Sequence, residues 1–161
     1  MTELKFEFSY KSYDSIDDLP EEQQWLLGEA REVTEQAYAP YSHFKVGAIA
    51  KLSNGEIVAG TNQENASFPI GLCAERVLLA SASSIFPKIP IDTIAISYKS
   101  DGNASDHPIA PCGICRQSLQ EFETRIGHSI QLILGGMTGR VYVIDSASKL
   151  LPLAFTSEEL K

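Results

Sequence analysis

All the thiols of this chain stand at two places: Cys73 in GLCAERVLL (Gly71–Leu79), and Cys112 and Cys115 in APCGICRQ (Ala110–Gln117). Both stretches open segments whose apolar residues recur with helical period. A helix start carries unpaired N–H groups and about half a positive charge, which favours thiolate over thiol. Thiolates bind metals, and soft sulfur ligands select zinc or iron–sulfur centres. Cys112 and Cys115, spaced i and i+3, can chelate one ion from a single turn. Cys73 joins them only if its helix lies beside theirs, so the fold must bring two helix starts together on one face.

The surrounding pattern allows this. KFEFSY (Lys5–Tyr10) alternates Phe6, Phe8 and Tyr10 and predicts a short strand. Asp18-Leu-Pro-Glu21 predicts a helix start, with Asp18 as cap and Pro20 in the first turn. The helix carries Trp25, Leu26, Ala30, Val33 and Ala37 as its stripe and stops before Pro40. KVGAIAKL and EIVAGTN flank Asn54-Gly55, the strongest short-range hairpin signal. The helix from about Cys73 to Ser84 is apolar on nearly all sides and is expected to be buried. IDTIAISY is a strand. A helix from Cys112 sets Cys115, Leu119, Phe122 and Ile126 on one face, with Gln120, Glu121 and Glu123 turned away. SIQLIL and RVYVI are two more strands, and Ser146–Leu151 is a short last helix. The order predicts an α/β domain with a mixed sheet of about five strands and helices packed against it.

With 161 residues, no repeat and no low-complexity linker, the chain reads as one domain, residues 1–161. Its net charge of −8, without a basic run, argues against a nucleic-acid partner. No apolar run is long enough for a bilayer, and the N-terminus lacks the apolar region of a secretory signal. Membrane association is not expected, and the cytoplasm is the expected compartment.

Structural zinc sites are normally closed by four protein ligands, whereas catalytic ones leave a position open. Three cysteines with Glu75 two residues past the first describe an open site with its own general base. Zinc in such a site makes water acidic near neutral pH, and Glu75 can take and deliver the proton. Residues i and i+2 do not face the same way inside a helix, so Cys73 must sit at the helix boundary. Other readings of the same residues stand beside this one. The cysteines can be small buried hydrophobes. His107, in HPIAPC, can close a structural site as fourth ligand. C-x-x-C also serves as a redox pair, although that leaves Cys73 and Glu75 without a role.

C-A-E-R at Cys73–Arg76 followed by P-C-G-I-C-R-Q at Pro111–Gln117 resembles the zinc-dependent cytidine deaminases, most closely the short homotetrameric class with three cysteine ligands. The resemblance runs from about Leu26 to Phe155. It includes Y-S-H-F-K-V-G-A at Tyr41–Ala48 and N-Q-E-N at Asn62–Asn65. It implies a three-layer α/β/α sandwich, a homotetramer and one Zn2+ per chain on Cys73, Cys112 and Cys115. By the same resemblance Glu75 is the acid/base outside the metal shell. Phe44 packs on the pyrimidine, Asn62 and Glu64 bind the ribose hydroxyl, and the Ala74 N–H holds the base carbonyl. The Ala110 carbonyl accepts from the leaving amino group, and Arg76 lies against the sulfurs and offsets their charge.

Departures from the family pattern are Phe68 in place of Tyr, Ala110 in place of Ser, and Thr156-Ser157 where Gly-Pro follows the closing Phe155. Phe68 is expected at a subunit interface, and Phe155 is expected to reach a neighbouring site. Residues 1–18 form an N-terminal extension of unassigned role. The implied activity is hydrolytic deamination of cytidine and deoxycytidine to uridine and deoxyuridine, a step of pyrimidine salvage. Another aminopyrimidine nucleoside as substrate, or a non-catalytic zinc-stabilised module, are the alternatives.

Overall fold

The computed structural model describes residues 1–160 and runs β1 (Lys11–Tyr13), α1 (Glu21–Val33), β2 (Phe44–Leu52), β3 (Ile57–Thr61), α2 (Ala74–Ile85), β4 (Ile91–Ser100), α3 (Gly113–Ile126), β5 (Gln131–Gly135) and β6 (Val141–Ile144). Among the described residues six strands form one sheet in the order β1-β6-β5-β4-β2-β3. The pair β4–β5, joined through α3, is parallel, and the other neighbouring pairs are antiparallel. The sheet is mixed, as expected, with one strand more than the expected five.

Side chains alternate across the sheet. Ala48, Ala50, Ile94, Ile96, Leu132 and Leu134 face Leu78, Leu79, Leu119 and Phe122 of α2 and α3. Ile49, Ala95, Ile133 and Val143 face Leu26, Leu27, Ala30 and Val33 of α1. The result is three layers, with both thiol-bearing helices on the same side. Asn54 and Gly55 close the hairpin: the Asn54 Oδ1 accepts from the Glu56 N–H at 3.1 Å, and Gly55 takes φ +89°. Gly60 on β3 brings α2 close, because a Cβ there would lie 2.5 Å from the Ala74 carbonyl oxygen. The first turn of α2, which carries Glu75, thus rests directly on the sheet.

The outer parts of the chain differ from expectation. The N-terminal strand is Lys11–Tyr13, paired with Val141–Val143, not Lys5–Tyr10. Strand β6 has four residues and offers a short edge, so Phe6, Phe8 and Tyr10 stay exposed. Phe8 stacks on Tyr10 at 5.6 Å, and Tyr10 lies 4.7 Å from Tyr142. Asp18 does not cap α1. It shares a reciprocal capping box with Ser15 around the 3-10 turn Ile16–Asp18, and α1 starts after Pro20. Trp25 is 48% exposed, and Leu27 takes the buried position instead. Ala37 lies beyond the helix, after the 3-10 turn Thr34–Gln36. Helix α2 buries one face only: Ala80 and Ile85 are exposed. Glu123, expected to face away, is buried. The last predicted helix is the 3-10 turn Ala147–Leu150. No helix is long and apolar enough to cross a membrane among the described residues.

Candidate active site

Cys73 and Cys112 are the N-cap residues of α2 and α3, both with extended backbone, and Cys115 stands one turn inside α3. The Cys73 and Cys112 sulfurs are 3.8 Å apart, those of Cys112 and Cys115 3.5 Å, and all three lie within 4.8 Å of one another. A tetrahedral ion with metal–sulfur bonds of about 2.3 Å needs sulfurs separated by about 3.8 Å, so the three thiols fit zinc. No fourth His, Cys, Asp or Glu joins the group among the described residues. His107, the candidate fourth ligand, meets Tyr98 and Asp106 instead. The site is therefore open on the protein side.

The extended cap conformation of Cys73 answers the helical objection. Cys73 sits outside the turn that holds Glu75, and both residues reach the same hollow. The thiols bond to one another. The hydrogen bond from Cys115 pulls the Cys73 thiol down to about 6, helped by the charge of Arg76 and opposed by burial and Glu75. The same bond pushes Cys115, the donor, up, and its burial adds to that. Glu75 is 5% exposed. Burial raises its carboxyl above the ordinary range, against a backbone N–H and Cys115, which lower it.

Cys73, Cys112 and Glu75 line a cavity of about 520 Å³ whose wall also includes Phe44, Asn62, Glu64, Phe68 and Ala110; Cys115 lies buried behind them. The Asn62 amide clips the edge of β2: its Oδ1 accepts from the Val46 N–H at 2.7 Å and its Nδ2 donates to the Phe44 carbonyl at 2.9 Å. One Nδ2 proton stays available for a ligand. The Glu64 Oε2 accepts from the backbone N–H groups of Tyr41 and Ser42, at 2.9 and 3.3 Å. Hydrogen bonding by Ser42, first among several causes, lowers its carboxyl. Phe68, 74% exposed, stands at the rim, edge-on to Tyr41 at 5.8 Å.

Other candidates lie off this wall. Ala74 is buried in the first turn of α2, where its N–H has no intrahelical partner. Arg76 follows in the same turn, near enough to Cys73 for its charge to act on the thiol. Phe155 is 60% exposed and does not line the cavity; the Gln117 side chain donates to its carbonyl at 2.8 Å.

The model of the cytidine and deoxycytidylate deaminase zinc-binding region matches residues 20–128. The chain belongs to the cytidine and deoxycytidylate deaminase family. Its three thiols make the zinc site of that family, one Zn2+ per chain. It is 37% identical over 139 residues to a cytidine deaminase of Halalkalibacterium halodurans, covering 86% of this chain and 98% of that one. A cytidine deaminase of Sporosarcina psychrophila is 35% identical, over 84% of this chain and 92% of its own length. The crystal structure of cytidine deaminase from Burkholderia pseudomallei superposes with a TM-score of 0.70 at 40% identity, covering 81% of this chain and 97% of the other.

Within this deaminase fold, Arg116 has a place that sequence reading missed. Its Nε donates to the Pro111 carbonyl at 2.7 Å, and its Nη1 donates to that of Leu150 at 3.2 Å. It thereby ties the residue before Cys112 to the start of the C-terminal tail, and the adjacent Gln117 holds that tail again at Phe155. The signal was the R-Q pair directly after Cys115, which has no core-facing role in the helical pattern.

Proposed function

We propose that the chain, a single domain over residues 1–161 with residues 1–18 as an extension, deaminates cytidine and deoxycytidine hydrolytically to uridine and deoxyuridine. Cys73, Cys112 and Cys115 would hold the zinc, which would supply Lewis acidity toward water. Glu75 takes one proton of the attacking water and carries it to N3, then takes the remaining proton of the hydroxyl added at C4 and delivers it to the amino nitrogen as the C4–N bond breaks and C4=O forms. A carboxyl whose affinity for protons is raised by burial suits both halves of that transfer. Phe44 supports the pyrimidine, the Ala74 N–H holds its carbonyl, and the Ala110 carbonyl accepts from the amino group. Asn62, through its spare N–H, and Glu64, through Oε1, bind the ribose hydroxyl. Arg76 offsets the charge of three thiolates around a divalent ion.

The observation that carries this reading is the burial of Glu75 beside three converging thiols at a cavity of about 520 Å³. The same cavity favours nucleosides over nucleotides. No Lys or Arg lines it, while Glu64 and Glu75 do. A phosphate would meet carboxylates and no cation. Deoxycytidine is expected to exceed deoxycytidylate in kcat/KM by at least about 100-fold, since uncompensated like charge costs several kcal/mol. The measurement is product formation by zinc-loaded protein offered each substrate. Equal turnover of the two would overturn the nucleoside reading.

We further propose a homotetramer. Phe68, Ile70, Leu72, Ile114 and Phe155 are large apolar side chains left exposed in the single chain, Phe68 and Leu72 on the cavity wall itself. A neighbouring copy would cover them, with Phe155 reaching its site. Light scattering is expected to give four times 17.6 kDa. The three unpaired thiols suit a reducing compartment, hence the cytoplasm and pyrimidine salvage. A net charge of −8 suits a small nucleoside and no nucleic acid.

A further inference from the structure

His107 is not a metal ligand, and the residue it meets instead lies under the cavity wall. Tyr98, on β4, is 2% exposed, and a buried phenol needs a partner for its hydroxyl. That oxygen lies 3.2 Å from Nδ1 and 3.4 Å from Nε2 of His107, with the two rings edge to face at 5.8 Å. The Asp106 Oδ1 stands 3.1 Å from the His107 Nδ1. An Nδ1–H donated to that carboxylate leaves Nε2 as the acceptor for the phenol proton. Burial first, then the charge of Asp106, push the Tyr98 phenol above its ordinary range, which keeps it a donor.

The Tyr98 ring itself stacks on Phe44, with centroids 5.0 Å apart and planes 18° from parallel. Tyr98 pairs with Val46 across the ladder, so Phe44 is its diagonal neighbour on the same face of the sheet. His107 meanwhile begins the short segment whose Ile109 and Ala110 line the cavity, immediately before Cys112. One side chain therefore supports the platform with its ring and tethers the Ala110 segment with its hydroxyl.

We infer that Tyr98 and His107 are positioning residues for the base, acting through the stack of Tyr98 on Phe44 and the hydroxyl–imidazole bond that joins β4 to the loop before Ala110. The inference rests on the reading of Phe44 as the platform for the pyrimidine. With the bond intact, the plane of Phe44 and the Ala110 carbonyl hold one spacing. Without it, the Ala110 segment is free to shift relative to the stacked rings. His107 is itself exposed, so replacing it removes little buried surface.

The test compares Tyr98→Phe, which keeps the ring, and His107→Ala, which removes the acceptor, each alone and combined with Phe44→Ala. Steady-state kinetics on deoxycytidine should show KM raised about 5-fold by either single change, the scale of one lost hydrogen bond, with kcat within about 2-fold. In the Phe44→Ala background neither change should raise KM further. Effects that add fully in that background, or an unchanged KM in both single variants while Phe44→Ala raises it, would overturn the positioning role alone. An unchanged KM in Phe44→Ala would overturn the platform reading, and this inference with it. Thermal unfolding of His107→Ala within a few degrees of the native chain separates the effect from a general loss of structure.

Discussion

Glu75→Gln is expected to keep its zinc and lose turnover, with kcat lower by roughly 10²- to 10⁴-fold, the usual worth of general acid–base catalysis. Gln matches Glu in size, and Glu75 is outside the group of three sulfurs, so the ligand set is untouched. What disappears is the capacity to accept a proton and return it. KM should change little, because Phe44, Asn62 and Glu64 are unaltered. Burial also gives this variant a stability signature. A carboxyl raised by burial loses stability for the fold as pH climbs from the ordinary carboxylate range through its raised value. Gln carries no such cost. In chain stripped of metal by a chelator, the variant should therefore melt at or above the native chain at pH 7, and the gap should close near pH 4. Metal analysis, steady-state kinetics and melting curves check the three statements. Near-native kcat with full zinc content would remove Glu75 from the chemistry.

The parts of this molecule that were legible from sequence are those decided within a few residues. Asn54-Gly55 dictates a hairpin because positive φ and a side-chain bond to Glu56 are local. Cys112 and Cys115 face one ion because three residues make nearly one turn. The boundary position of Cys73 followed from the requirement that it and Glu75 converge, and the extended backbone at Cys73 meets it. Where a local pattern has two solutions, the neighbouring residues alone do not choose between them. Asp18 suits a cap for α1, yet Ser15 offers a nearer partner and the pair closes its own small turn. Lys5–Tyr10 alternates as a strand should, but β6 leaves room only for Lys11–Tyr13. The rest depends on partners far along the chain. Nothing near Tyr98 announces that its hydroxyl faces His107. Nothing beside Arg116 announces the Leu150 carbonyl, 34 positions away.

Glu123→Ala is expected to produce the largest loss of stability. The helical pattern of the sequence places Glu123 on the solvent side of α3, yet the fold buries it. Its Oε1 accepts from the backbone N–H of Ile130 at 2.6 Å and of Ala147 at 2.9 Å, and its Oε2 from that of Ser148 at 3.1 Å. The Ser146 hydroxyl lies at 3.1 and 3.0 Å from the two oxygens. One carboxylate thus joins α3 to the entry of β5 and to the first residues of the turn Ala147–Leu150. Truncation leaves the Ile130 and Ser148 N–H groups without a partner, whereas the Ala147 N–H keeps the Ile130 carbonyl at 2.9 Å and the Ser146 hydroxyl keeps that of Ser148 at 2.7 Å. At about 1–3 kcal/mol for each orphaned buried donor, softened by entry of water, the loss should be about 3–5 kcal/mol. For a chain of this length that is a fall in melting temperature of roughly 6–15 °C. The effect should also reach the thiols, because the same turn presents the Leu150 carbonyl to Arg116, and Arg116 holds Pro111 beside Cys112. Zinc transfer to a chelator is therefore expected to be faster in Glu123→Ala below its melting transition. A melting temperature within about 2 °C of native would show that water satisfies those donors as well as the carboxylate does. An unchanged rate of zinc transfer at lowered stability would confine Glu123 to the fold and leave the Leu150–Arg116–Pro111 link without influence on the metal.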